Sequence, residues 1–150
     1  NQPVWLPTLT SQQLQKEKIM LFNELRDNYF WMMDAAYAVE RLEQEWKYPD
    51  SQDFVTGQVT NLKVAREQVA GMIEDGVEKI RGFIHRKYVR VGTLKDSLDY
   101  VIPVRCFLEE QANFTEWSFV LWGLEKLRKS EDLMRKVMNE EVTKIKDTWT

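Results

Sequence analysis

Histidine and cysteine, the side chains that most often act as catalytic base and nucleophile, occur once each in this chain of 150 residues, as His85 and Cys106. A catalytic triad needs a nucleophile, a base and an orienting group together, and a di-iron site in a helix bundle needs two Glu-x-x-His pairs. One histidine is too few for the di-iron site. Cys106 stands between Arg105 and Phe107 in an apolar run, which favours a buried structural thiol over a nucleophile. His85 is expected to be a partly buried, hydrogen-bonded imidazole near a helix end.

Pairs of carboxylates are the other candidate ligands. Glu40 and Glu43 are three residues apart, and Glu109 and Glu110 are adjacent. Without further histidine or cysteine, such pairs more often lie on solvated helix faces. The sequence contains no EF-hand loop and no glycine-rich phosphate loop. We therefore predict that the protein is not an enzyme and has no catalytic residue, metal, cofactor or small-molecule substrate.

The segment 79–95, KIRGFIHRKYVRVGTLK, contains six basic residues and no acidic one, although the formal net charge of the chain is −3. Arg86 and Arg90 share a helical face because they are four residues apart, and Tyr88 could stack on a base between them. A nucleic-acid-binding surface, for RNA or single-stranded DNA, would consist of Lys79, Arg81, Arg86, Lys87, Tyr88, Arg90 and Lys95. The structural alternative is that these residues complement a helix dipole and the acidic stretches of neighbouring helices.

Large apolar residues are concentrated at 29–33 (YFWMM) and 117–122 (WSFVLW). Five consecutive large side chains cannot all face one side of a helix, so some must meet a second surface. Trp, Tyr and Met are enriched at the centres of protein interfaces. We therefore predict a partner-binding set of Tyr29, Phe30, Trp31, Trp117, Phe119 and Trp122. The alternative is a thick core that an N-terminal arm closes through Trp5.

Helices are the elements that would position these clusters. Apolar residues recur at steps of three and four over 10–47, 51–88 and 114–147, which predicts three long helices. Thr10 and Gln13 form a potential capping box at the start of the first helix. The second helix is expected to stop before Gly92. A shorter helix at 94–112 follows, interrupted by Pro103, although its segment 100–107 could equally be an edge strand.

Together these elements predict an all-α fold in a single domain, 1–150. The architecture is an elongated antiparallel four-helix bundle with an extended N-terminal arm at 1–9, where Pro3 and Pro7 disfavour a helix. Four glycines fall within the second apolar stripe and are expected to mark close approach to a neighbouring helix or a local bend, the alternative being a functional hinge: Gly57, Gly71, Gly76 and Gly82.

Composition sets the remaining expectations. Hydrophobic residues make up 43% and charged residues 30% of the chain, a globular balance. One cysteine cannot form an internal disulfide, which favours a reducing compartment and an intracellular, cytoplasmic location. No apolar stretch approaches the ~20 residues of a membrane span. The first residue is not Met, so we expect an excised domain or a processed product. Our leading hypothesis is a protein-interaction or assembly module that binds a protein partner or its own copies, and the alternative is nucleic-acid binding through 79–95.

Overall fold

The computed structural model describes residues 10–75, 83–114 and 117–149, and nearly all of them are helical. α1 spans Ser11–Glu45, α2 spans Gln52–Asp75, α3 spans Phe83–Ala112 and α4 spans Ser118–Trp149. A 3-10 turn, Pro49–Ser51, connects α1 to α2. The described ranges contain no strand, which confirms the all-α class.

The four helices form a ring in which each packs on its neighbours in sequence and α4 returns against α1. The direction of α4 relative to α1 follows from two contacts, since Asn28 pairs with Ser130 and Ala38 lies against Gly123. As the residue number rises along α1 it falls along α4, so the two helices are antiparallel. Pairs of contacts give the same direction for the other neighbours: Met33 with Arg66 and Trp46 with Ser51, Gln68 with Ser97 and Phe54 with Phe107, and Arg90 with Glu141 and Arg105 with Glu131. The predicted antiparallel bundle is confirmed.

The core lies at the centre of this ring and is mostly aliphatic. Its largest fully buried side chains come from all four helices: Leu25, Met32, Leu62, Leu94, Leu108, Leu127 and Met134. α1 begins with the predicted capping box, in which the Thr10 hydroxyl accepts from the Gln13 N–H at 3.0 Å and the Gln13 side chain accepts from the Thr10 N–H at 2.8 Å. The box satisfies two N–H groups that a helix start leaves open.

The predicted bounds of the second and third helices, 51–88 and 94–112, are wrong. α3 already begins at Phe83 and continues through Gly92 and Pro103 to Ala112, so it is a long, uninterrupted helix and not an edge strand. Gly92 costs up to about 1 kcal/mol in a helix, which the burial of Leu94, Leu98 and Val101 outweighs. Pro103 is exposed. Asp99, whose carbonyl loses its usual donor, is exposed as well, so water can satisfy that carbonyl.

Gly123 allows α4 to approach α1 closely. A Cβ atom at this position would overlap the Cβ of Ala38 and would lie 3.9 Å from the Cα of Ala35. Both alanines are fully buried. Three small residues therefore let the two helix backbones meet without intervening side chains.

Of the roles predicted for Gly57 and Gly71, close approach to a neighbouring helix is wrong, while a local bend or a hinge stays a prediction. A Cβ atom at either position would meet no atom within 4 Å, and the same holds for Gly92. Gly76 and Gly82 lie outside the described residues. The predicted glycines share an apolar stripe along the sequence. The glycine that close helix packing requires is a different one, Gly123.

We expect Gly123→Ala to lower the free energy of unfolding by about 1–3 kcal/mol, because the added methyl group overlaps the rigid Ala38 Cβ. The measurement is urea denaturation followed by circular dichroism. Gly71→Ala is the matched control: this exposed position has open space around it, so the substitution should stabilise by up to about 1 kcal/mol through helix propensity. Equal effects of the two substitutions would contradict the close contact.

Candidate functional site

Exposed aromatic side chains are concentrated at the end of the bundle where α1 and α3 finish and α2 and α4 begin. Phe114 is 80% exposed, Tyr48 67%, Phe54 56% and Trp117 43%. Tyr48 follows α1, Phe54 lies in α2, Phe114 follows α3 and Trp117 precedes α4. We call this surface, together with Leu121 and Trp122 in the first turn of α4, the aromatic end.

Two of these rings are held in place by a partly buried support. The Trp46 indole N–H donates to the Ser51 hydroxyl at 2.9 Å. Its ring centroid lies 5.8 Å from that of Tyr48 and 5.8 Å from that of the buried Phe107. Phe54 contacts Phe107 edge to face at 5.7 Å. Because aromatic pairs of this kind contribute about 0.5–1.5 kcal/mol each, Tyr48 and Phe54 are exposed but positioned.

The predicted residues of the 117–122 cluster divide between support and surface. Phe119 is half-buried against the core and stacks with Trp117 at 5.4 Å. The Arg41 guanidinium lies 4.2 Å from the Phe119 ring centroid, a favourable cation–π distance. Trp117 is 43% and Trp122 39% exposed, so both indoles are partly available to solvent while Phe119 anchors the start of α4.

Acidic side chains surround the rings of Tyr48 and Phe54. Residues 45–53 contain three exposed acids, Glu45, Asp50 and Asp53, and one exposed base, Lys47. A further exposed acid, Glu110, lies one helical turn after Phe107. Asp50 and Asp53 are stable there because they stand at the start of α2, where the helix dipole favours negative charge. Near Tyr48 and Phe54 the aromatic end therefore presents apolar rings among mainly negative charges, whereas basic groups lie at its α4 side, with Arg41 over Phe119 and Lys126 over Trp122.

The 29–33 cluster also divides between core and surface. Met32 is fully buried, Tyr29 packs against the core, and Trp31 is half-buried. Phe30 is 55% and Met33 40% exposed. Ala38 marks the level of the 117–122 cluster, because it lies against Gly123. Phe30 lies eight residues before Ala38, roughly 12 Å along the helix axis, so the two predicted clusters occupy different levels of the bundle.

The structure places one residue of the basic segment inside the bundle. Arg90 is 6% exposed, and its Nε and one terminal nitrogen each lie 3.2 Å from Oε1 of Glu141, which is 4% exposed. Arg90 is therefore engaged within the α3–α4 contact and does not contribute to an exposed basic face. Glu141 stands 51 residues further along the chain, too far for any local sequence pattern to reveal the pair.

The other residues of that segment are placed less fully. Lys95 is exposed on α3. Arg86, Lys87 and Tyr88 belong to the first turns of α3, but their side chains lie outside the described part. Lys79 and Arg81 lie entirely outside the described residues. The nucleic-acid-binding face stays a prediction, but the buried Arg90 is not part of it.

Cys106 is exposed, so the predicted burial of this thiol is wrong. α3 continues as a helix through Pro103, which puts Cys106 one turn beyond that exposed proline and directs Val104, Phe107 and Leu108 to the core instead. The side chain of His85 lies outside the described part. Across 10–75, 83–114 and 117–149, no three His, Cys, Asp or Glu residues are grouped as metal ligands would be.

An ion-pair network joins α3 to α4 beside Cys106. Arg105 donates to both carboxylate oxygens of Glu131, at 3.1 and 3.2 Å, and to Glu109 at 3.2 Å. Arg128 and Arg135 each complete the network with one bond at 3.3 Å, to Glu109 and Glu131 respectively. The bond to Glu131 raises the pKa of Arg105, and the bond from Arg105 lowers the pKa of Glu109. The Glu109 carboxylate, held charged in this way, is poorly suited to general acid or base chemistry.

Comparisons with protein-family models, with curated proteins and with solved structures gave no match for this chain. Among the helices of the described residues, none combines the length and the apolar character that crossing a bilayer requires.

The lowered pKa of Glu109 predicts how acid acts on the bundle. Its carboxylate contributes stability above the unfolded-state pKa of about 4.5, and the contribution is lost as pH falls through the lower folded-state pKa. Glu109→Gln should therefore unfold more easily than the wild type at neutral pH, and the difference should shrink as the pH falls below about 4. Urea denaturation at a series of pH values measures it.

The matched control is Glu125→Gln, which removes an exposed pair with Lys129 within α4 alone. We expect this control to change stability less at neutral pH, because an exposed pair within one helix contributes about 0.3–0.5 kcal/mol. A Glu109→Gln curve that runs parallel to the wild-type curve at every pH would show that the network does not act as described.

Proposed function

We propose that this chain is a non-enzymatic helical interaction module that binds a partner protein through the aromatic end. The observation that carries the proposal is that Tyr48, Phe54, Phe114 and Trp117, one from each helix or its adjoining residue, are exposed together at one end. Folding alone does not require large apolar rings on the surface. Burying them in an interface would be favourable by about 25 cal/mol for each Å² of apolar surface removed from water.

The support beneath the rings favours binding in a second way. Trp46 and Phe107 hold Tyr48 and Phe54 through ring contacts of 5.7–5.8 Å. Side chains that are already ordered lose little rotamer freedom when a partner docks, and this entropy is one of the main costs of association. The aromatic end therefore resembles a preorganised interface centre.

The charges around the rings indicate the chemistry of the partner. Asp50, Asp53 and Glu110 are exposed acids, so they favour a basic surface and repel phosphate. Glu45 is exposed as well but pairs with Arg41 at 3.6 Å. We infer a partner segment that places an aromatic or aliphatic side chain among the rings and carries Lys or Arg residues on either side. The same acids make this end unsuited to nucleic acid.

A selection of random peptides displayed against the folded protein tests the proposal. Enriched peptides should combine an aromatic or aliphatic residue with flanking Lys or Arg. A synthetic peptide of that sequence should bind about tenfold or more weakly to Tyr48→Ala and to Phe54→Ala, as measured by isothermal titration calorimetry. Its affinity should also fall with added salt, because the charges on the rim are exposed.

Tyr100→Ala is the matched control, because Tyr100 is an aromatic residue 37% exposed in the middle of α3. This variant should bind the peptide like the wild type, and thermal denaturation should show that all three variants are folded. Peptides that bind every variant equally, or a selection that enriches no sequence, would overturn the assignment to the aromatic end.

A further inference from the structure

A second apolar surface lies on the side of α1 that faces away from the core. α1 packs on α2 and α4 in the ring, so its outward side is largely open among the described residues, although the Arg66 guanidinium of α2 reaches the Met33 sulfur at 3.1 Å. This side exposes Phe22 by 36%, Phe30 by 55%, Met33 by 40% and Tyr37 by 59%. At 100° per residue these positions fall within one quarter of the helix circumference, and we call them the outer face of α1.

Exposed charges flank the outer face in a self-complementary order. Arg26 and Asp27 precede Phe30, whereas Glu40 and Arg41 follow Tyr37. Arg26 lies 14 residues before Glu40, and Asp27 lies 14 residues before Arg41. Fourteen residues are about four turns of helix, or about 21 Å, so both opposite-charge pairs have the same separation. Their midpoints nearly coincide, at Met33 for Arg26 and Glu40 and at Asp34 for Asp27 and Arg41.

We propose that a second copy of this chain binds the outer face of α1, with the two α1 helices antiparallel about a two-fold axis beside Met33. In a two-fold contact, if residue i meets residue j of the other copy, then j also meets i. The arrangement places Arg26 near Glu40 of the second copy and Asp27 near Arg41, and each pair is made twice. Arg41 also contacts Phe119 and Glu45 of its own chain. The arrangement also places Phe30 beside Tyr37 of the second copy, while the two Met33 side chains meet at the axis.

The charge order selects the antiparallel arrangement over the parallel one. Parallel helices in register would bring Arg26 to Arg26 and Glu40 to Glu40, and opposed like charges are destabilising. One feature opposes the antiparallel pair, because the half-buried Asp34 of each copy also lies next to the axis. Removing that charge should therefore tighten the dimer.

The outer face is distinct from the aromatic end, so this inference does not depend on the proposed function. An antiparallel pair directs the two aromatic ends toward opposite poles of the dimer, where neither is covered by the α1 contact. The apolar part of the contact is small, and interfaces of limited area form weak complexes. We expect dissociation in the micromolar range.

Sedimentation equilibrium from about 1 to 500 µM tests the dimer. Arg26→Glu and Glu40→Arg should each weaken dimerisation by about tenfold, and the double variant should recover most of the loss because the pair is restored with its signs exchanged. Asp34→Asn should strengthen dimerisation. Lys63→Glu, a charge reversal at an exposed position of α2, is the control and should have no effect.

A cysteine at the axis provides a second measurement. In a Cys106→Ser background, Met33→Cys should form a disulfide-linked dimer under mild oxidation, while Thr60→Cys on the exposed side of α2 should not. The variant Tyr48→Ala should dimerise like the wild type, which separates this result from a failure of the aromatic end. Monomeric sedimentation over the whole range, no recovery in the double reversal, or equal cross-linking of both cysteine variants would overturn the proposal.

Discussion

The close contact between α1 and α4 is the constraint on which the bundle depends. These are the first and last helices of the described residues, so their contact closes the ring and encloses the core. Gly123 against Ala35 and Ala38 makes that contact possible, because any side chain at Gly123 would overlap Ala38. The same contact sets where α4 begins relative to α1, and it thereby brings Phe119 beneath Arg41 and leaves Trp117 and Trp122 at the surface.

Closing the ring with small residues has a consequence for the aromatic side chains. The interior is filled mainly by Leu, Val, Ala and Met, and Phe107 is the aromatic residue of the described core. Other rings that the helices carry must then lie at the margins. At the aromatic end, Tyr48 and Phe54 pack on Trp46 and Phe107 and remain partly exposed. Along α1, the exposed rings form the outer face. Both candidate interaction surfaces thus follow from how tightly the helices approach.

The charged residues show how tertiary structure redirects a local pattern. The basic segment suggested an anion-binding face, yet Arg90 turns inward to Glu141. Both side chains of this ion pair are more than nine-tenths buried. Removing either one would leave an uncompensated charge in the interior, which is strongly destabilising. Arg105 also joins α3 to α4, through the partly buried pair with Glu131, while its pair with Glu109 lies within α3. Arg90, which the sequence pattern assigned to an anion-binding face, thus connects two helices.

The sequence by itself determined the helical class and the capping box at Thr10, because helix caps and 3.6-residue periodicity are local properties. For 29–33 it indicated that some side chains must meet a second surface, and the structure decided which ones. The sequence misplaced the boundary between α2 and α3, since the burial of Leu94, Leu98 and Val101 outweighs the helix-breaking tendency of Gly92. It also could not identify Gly123, the partner of Arg90, or the place of Tyr48, Phe54 and Phe114 in one surface. Those features join residues far apart in the chain, and their energies exist only once the four helices are packed.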